Sequence, residues 1–433
     1  MSASRPDSND RPGLLLACPE CDLVSEIVPH QQEGRWHLCP RCHHALLRQA
    51  RSDQLTPALA VTALILLLLS LLFPYIAFER GGIERAMTVA DAANELAMHH
   101  HPLLSVVVVA TIVVIPALYL LAVCIIHLSL ASQARLPGSL WLARWLPRLQ
   151  PWMMADVFAI AALVSLVKII AMAHIQLLSA FWTFTGYAVL LLVTVTRMNT
   201  IALWQRLLGP LDQPARARAG LMAVEQGLVG CSWCGQLQQR GHQHCLRCRS
   251  RLRQRHPFTL QRVWALLVTA MLCSLPAHLY PIMVTTSLGQ SDPATIIGGV
   301  LLFIDHGDWP IALIIFAASV LIPFGKIIAI AWLCIASRRR RSLDMAGQMR
   351  LYRITEWVGR WSMIDVFVVA IIVGLFQLGN ILTITPGYGG LAFSAVVIFT
   401  MLAAHQFDPR LIWDQQRRVA AGRLDAPLAE GYR

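Results

Sequence analysis

The sequence predicts an all-α polytopic membrane protein, built as two tandem four-helix transmembrane units, each preceded by a small cytoplasmic zinc ribbon of four cysteines. Three observations carry this expectation. Of 433 residues, 56% are apolar and only 14% charged, against roughly a quarter charged in soluble proteins, and the mean hydropathy is positive. Eight predominantly apolar stretches reach about 20 residues, the length a helix needs to cross a bilayer. Eight of the eleven cysteines form four Cys-x-x-Cys pairs, four cysteines ahead of each set of four stretches. Soluble-enzyme readings are excluded, and no enzyme activity is expected.

The head, residues 1–50, bears Cys18, Cys21, Cys39 and Cys42; the linker at 208–256 bears Cys231, Cys234, Cys245 and Cys248. A Cys-x-x-Cys turn presents two thiolates to two corners of a tetrahedron, and two such turns complete a four-thiolate shell. Disulfides, or a redox pair in the shorter set, fit a reducing compartment poorly. With all four positions taken by protein, a zinc there is structural; iron in the same shell would make an electron carrier, and spacing does not exclude it. His242 and His244 are alternative ligands, although four cysteines already suffice. Cys124, Cys273 and Cys334 lie in apolar stretches as packing residues.

The first unit, 51–207, holds apolar runs at 55–78, 102–130, 152–173 and 178–204; the second, 257–414, holds them at 259–284, 309–336, 361–380 and 387–405, with a tail at 415–433. Trp152-Met-Met-Ala-Asp156-Val-Phe158 returns as Trp361-Ser-Met-Ile-Asp365-Val-Phe367, 209 positions later. Leu72-Phe-Pro74-Tyr75 returns as Leu279-Tyr-Pro281-Ile282, and Ile115-Pro116 as Ile322-Pro323. An even number of spans per unit makes the copies parallel rather than inverted repeats. The prolines predict kinks in the spans.

The net charge of +12 comes from arginines in connecting segments: ten in 206–262 and seven in 337–360. The opposite connections hold only Arg80 and Arg85 in one case, and Asp292, Asp305 and Asp308 in the other. By the positive-inside rule both termini are cytoplasmic, and the charge implies loops rather than nucleic-acid binding. No cleavable apolar leader opens the chain, which agrees with a cytoplasmic N-terminus. The noncytoplasmic stretches 79–101 and 285–308 are long enough for a short surface helix each.

Among 36 basic residues only Lys168 and Lys326 are lysine, and both fall in apolar runs. An ammonium at that depth costs about 2.5–3.5 kcal/mol, so it faces a bundle interior, a cavity or a partner unless it snorkels. Unlike arginine, lysine sheds its proton when desolvated, which points to proton-linked or headgroup-binding work. Helical spacing sets Ser165 with Lys168, Ser319 with Lys326, and Ser362 with Asp365; with Thr400 these make a candidate polar track through the second unit. Asp156 and Asp365 sit near helix N-termini, where the dipole favours a carboxylate. No Gly-x-x-x-x-Gly-Lys phosphate loop occurs.

The paired ribbons and spans, Gly359-Arg360 before Trp361-Ser-Met-Ile-Asp365-Val-Phe367, Ile322-Pro-Phe-Gly-Lys326 and the ending Phe407-Asp-Pro-Arg-Leu-Ile-Trp413-Asp together resemble the paraquat-inducible protein A family, from about Cys18 to Asp414. The wording leans to its paraquat-inducible branch rather than its lipophilic envelope-spanning tunnel branch; the arginine-rich second ribbon departs from the pattern without disturbing the ligands. The resemblance implies a multi-pass inner-membrane protein of Gram-negative bacteria, working with a periplasmic MCE-domain tunnel protein to move phospholipid between membranes and support envelope integrity. The competing readings are a passive anchor for the tunnel and a membrane redox protein with rubredoxin-like iron.

Overall fold

A computed structural model describes residues 13–27, 36–48, 54–80, 83–98, 102–132, 138–170, 174–287, 290–305, 307, 309–338, 344–376 and 382–414. Among the described residues, eight helical segments are long and apolar enough to cross a membrane: Leu55–Leu72, Pro102–Ala131, Ser139–Leu166, Ser179–Arg197, Thr259–Leu279, Ala312–Ala336, Met345–Leu375 and Tyr388–Gln406. The chain is therefore mostly helical with eight candidate spans, as its hydropathy predicts.

The third and seventh spans are broken, because each joins two helices of different character. Ser139–Leu149 and Met345–Trp361 carry arginines on one side and buried apolar groups on the other, whereas Ala155–Ile170 and Ile364–Leu375 are nearly all apolar. The last of these has 12 residues and covers about 18 Å, well short of a 30 Å hydrocarbon core. Every residue from Val366 to Leu375 is buried, so it is an inner helix surrounded by protein. It packs on Ala155–Ile170, where Phe158 and Phe367 meet edge to face with centroids 5.6 Å apart. Two residues 209 positions apart in matching segments thus touch each other.

The expectation of an all-α chain fails at the bundle end opposite the cysteines. Strands Ile76–Arg80 and Ile83–Met87 form an antiparallel hairpin, and His174–Leu177 joins the first of them. In the second half Met283–Ser287, Gln290–Ala294 and Leu382–Pro386 repeat the arrangement. A short helix follows each hairpin, Val89–Met98 and Ile296–Asp305, as the lengths of 79–101 and 285–308 predict. The two helices pack differently. Val89–Met98 lies against Ile364–Leu375 so closely that a side chain at Gly374 would meet the Ala92 backbone, whereas Ile296–Asp305 leaves Ile297, Leu301 and Leu302 exposed.

The repeated Ile-Pro pairs do more than kink their helices. Each ends a π-helical turn, Ala110–Val114 and Ala317–Leu321, because proline has no N–H to close the preceding α-turn. In the first half the tyrosine hydroxyl of Tyr187 donates to the Ile112 carbonyl (3.1 Å). That tyrosine belongs to a buried aromatic cluster with Tyr75, Phe158 and Phe184. The position matching Tyr187 is Val396, which has no donor, so the second half is built differently around its π-turn.

Candidate functional site

Each four-cysteine group is a pair of identical turns. In all four, the N–H of the residue just after the second cysteine folds back onto the first cysteine's carbonyl: Asp22 to Cys18, His43 to Cys39, Gly235 to Cys231 and Arg249 to Cys245, each at 2.9 Å. Those four donors have left-handed backbones (φ 64°, 58°, 76° and 56°), and only one of them is the glycine that tolerates it freely. The turns aim the thiols inward, so that the four sulfurs of each group lie within 4.8 Å of one another and are buried. Cys18 and Cys42 are 3.5 Å apart, Cys21 and Cys39 3.5 Å, Cys231 and Cys248 3.6 Å, and Cys234 and Cys245 3.6 Å. A disulfide needs about 2.05 Å, whereas four thiolates 2.3 Å from one ion stand about 3.8 Å apart. The donor set therefore fits a tetrahedral metal ion, and all eight cysteines singled out by spacing are the ones brought together. His242 and His244 are exposed and outside the groups.

Sequence spacing did not show what supports the shells. Ser250 Oγ lies 3.0 Å from Cys248 Sγ and 3.3 Å from Cys231 Sγ, a hydroxyl able to steady two thiolates. In the first group Glu20 bridges His44 (2.9 Å) and Arg353 (2.5 Å). Burial alone would raise the Glu20 carboxyl; the imidazole and guanidinium beside it hold it below its ordinary value. His44, likewise opposed by burial, is raised by Glu20. Burial raises the neighbouring Asp22 carboxyl, although Arg255 pulls the other way.

These contacts cross the molecule. The first group, which precedes the first four spans, rests on the second half: Arg353 also donates to the Cys42 carbonyl (2.6 Å), and Arg41 lies 4.2 Å over the Trp413 ring. Arg255 joins Asp414 (2.6 Å) to Asp22 (3.3 Å). The second group rests on the first half, where Arg144 donates to the Cys248 carbonyl (2.6 Å), Arg148 stacks 4.9 Å from Trp233, and Arg247 donates to the Trp204 carbonyl (3.4 Å). Between the groups, Val24 makes two backbone bonds to the linker: its N–H donates to the Leu221 carbonyl and its carbonyl accepts from the Gly220 N–H, both at 2.9 Å.

The candidate polar residues separate into smaller clusters. Lys326 is only 3% exposed, and its ammonium donates to Thr400 Oγ1 at 3.0 Å. It rests beside Gly359, where a Cβ would be in ordinary contact with Nζ at 3.8 Å. Among the described residues it forms no ion pair. Ser319 is not on one face with Lys326 in the simple helical sense, because the π-turn Ala317–Leu321 adds a residue between them. Its hydroxyl donates instead to Asp365 Oδ2 at 2.5 Å. Ser362 lies in the break before Ile364–Leu375 rather than on that helix, and its hydroxyl caps the Val358 carbonyl at 3.4 Å.

In the first half Ser165 is buried and bonded to the Ala161 carbonyl (2.8 Å). Lys168 belongs to the same helix, but its side chain lies outside the described residues. Asp156 does more than sit at a helix start: Arg360, on the other half, clasps both its oxygens at 2.9 and 3.0 Å and also reaches the Met153 carbonyl. The polar pair of the second half has no copy in the first. Tyr119 stands where Lys326 does and Leu191 where Thr400 does.

The family model described as "Paraquat-inducible protein A" matches this chain twice, over residues 54–208 and 260–417. The chain is 36% identical over 406 residues to "Intermembrane transport protein PqiA" of Escherichia coli (strain K12), covering 93% of this chain and 96% of that protein. It is 30% identical to "Lipophilic envelope-spanning tunnel protein A" of the same organism, over 93% and 92%. To a "Probable intermembrane transport protein" of Haemophilus influenzae it is 29% identical, over 93% and 96%. No solved structure gives a significant match.

Proposed function

The chain belongs to the paraquat-inducible protein A family, and from that premise we propose that it is the inner-membrane subunit of a system moving phospholipid between the two membranes of a bacterial envelope. Its relatives are named for intermembrane transport and for an envelope-spanning tunnel, and none of those names is an enzyme's. In this reading the arginine-rich side, with both termini and both cysteine groups, is cytoplasmic. The two hairpin sheets then face the periplasm, where an MCE-domain tunnel protein receives or delivers lipid. The halves are duplicated units, 51–207 and 257–414, whose matching Phe158 and Phe367 meet edge to face. The ribbons 1–50 and 208–256 each hold one structural zinc, closed to solvent by four thiolates; residues 415–433 form a cytoplasmic tail.

The observation that carries the proposal is Lys326, an ammonium buried in an apolar bundle with a hydroxyl as its acceptor. Such a cation is retained at a cost of about 2.5–3.5 kcal/mol, which a packing role does not need. A lipid phosphate competes with Thr400 for that ammonium, with Ser319, Asp365 and Ser362 as further polar stations along the same half. The first half offers Ser165, Lys168 and Asp156 as polar positions of its own, without an equivalent of the Lys326–Thr400 pair. Alanine at Lys326 is expected to abolish movement of labelled phospholipid between inner and outer membranes while protein level and metal content stay normal. Full transport by that variant overturns the assignment.

A further inference from the structure

Beyond the spans, the strongest unassigned feature is a cleft of about 510 Å³ between the second cysteine group and the start of the fifth span. Its walls carry Arg240, His242, Arg251, Arg253 and Arg255, together with Gln254. Arg255 is matched by Asp414 and Asp22. Arg240, Arg251 and Arg253 form no ion pair among the described residues. Three cations facing one concavity repel each other and draw in an anion, and arginine's planar fork suits phosphate oxygens. Gln254 also lines the cleft, and its side-chain nitrogen is buried without an acceptor, so a turn of the amide toward the cleft would give a ligand oxygen a neutral donor.

The position of the cleft narrows the ligand. Pro257 closes one edge, and the span Thr259–Leu279 begins two residues later. Between them Phe258 is exposed in a left-handed backbone (φ 57°), a strained geometry for a bulky residue that turns its ring outward at the end of a span. Aromatic rings at that level lie among lipid headgroups.

We propose that this cleft is a phosphate-binding site, with Arg240, Arg251 and Arg253 as its cations and Gln254 as a neutral donor, placed to take the headgroup phosphate of an anionic phospholipid in the adjoining leaflet. The proposal rests on the chain spanning a membrane and is independent of any role for Lys326.

The test uses the full chain purified in detergent, titrated by native mass spectrometry with dihexanoyl phosphatidylglycerol, with the phosphate-free dioctanoylglycerol, and with inorganic phosphate. The phosphatidylglycerol binds saturably and dioctanoylglycerol does not. The triple variant R240Q/R251Q/R253Q loses about fivefold in affinity per arginine, and the matching triple lysine variant keeps most of it. Failure of inorganic phosphate to displace the lipid assigns a headgroup site; displacement at equal concentration assigns a site for free phosphate. Equal binding of both lipids, or an unchanged glutamine variant, overturns the proposal. Should the triple variant lose metal or melt early, R240Q alone is read, since Arg240 is exposed; unchanged binding there overturns the proposal equally.

Discussion

Buried charge in this protein is settled by the nearest few atoms. Asp408, next to the eighth span, is buried, which by itself raises its carboxyl; Arg410 at 2.9 Å and Arg255 beyond it hold the carboxyl below its ordinary value. A depressed folded-state value means the stabilisation is complete above the unfolded value near pH 4 and fades as pH falls through the folded one. D408N is therefore expected to cost about 1–3 kcal/mol at neutral pH, with the gap from the natural chain shrinking as pH falls below about 4. Thermal unfolding in detergent across that range checks it, and a constant gap would contradict the pairing. At this scale the cysteine ligands were legible because metal geometry fixes spacing within a turn. Lys326 was legible because it is one of two lysines in an apolar run. Thr400, 74 positions away, was identifiable as polar but not as the partner of Lys326, since packing between helices decides which residues touch. The Asp156–Arg360 clasp was hidden for the same reason.

Among the elements, the helices followed from hydropathy and the strands did not. Ile76-Ala-Phe-Glu-Arg and Met283-Val-Thr-Thr-Ser each continue an apolar helix past a proline, so a five-residue strand reads as the frayed end of a span. The π-turns left only the Ile-Pro pairs as a trace, and a π-turn is what sends Ser319 to Asp365 instead of toward Lys326. The inner helix Ile364–Leu375 depends on close approach by Val89–Met98. A Cβ at Gly374 would lie 2.8 Å from Ala92 Cα and 2.8 Å from Met87 Sδ, and backbone cannot swing aside as a side chain can. Gly374→Val is expected to destabilise the chain by about 1–3 kcal/mol, seen as a lower unfolding midpoint. An unchanged midpoint would mean that this helix contact is not formed.

In the molecule as a whole, each cysteine group is seated on the half of the bundle it does not precede, an arrangement that linear order could not disclose. Removal of residues 1–50 is accordingly expected to loosen the second half. Hydrogen exchange should quicken in Met345–Trp361 and around Phe407 to Trp413, which the first group covers, more than in Leu55–Leu72, which directly follows it. Loss of protection confined to Leu55–Leu72 would contradict the crossed seating. The halves also differ inside. The first is filled by Tyr75, Phe158, Phe184 and Tyr187, while the second holds Lys326 with Thr400 and Ser319 with Asp365. Lipid handling is therefore expected in the second half. The most direct test places a photo-crosslinking residue at Ser362, or at its counterpart Met153, in cells labelled with radioactive phosphate. Labelled phospholipid captured at 362 and not at 153 is the predicted result; capture at neither position, or equally at both, would contradict the account.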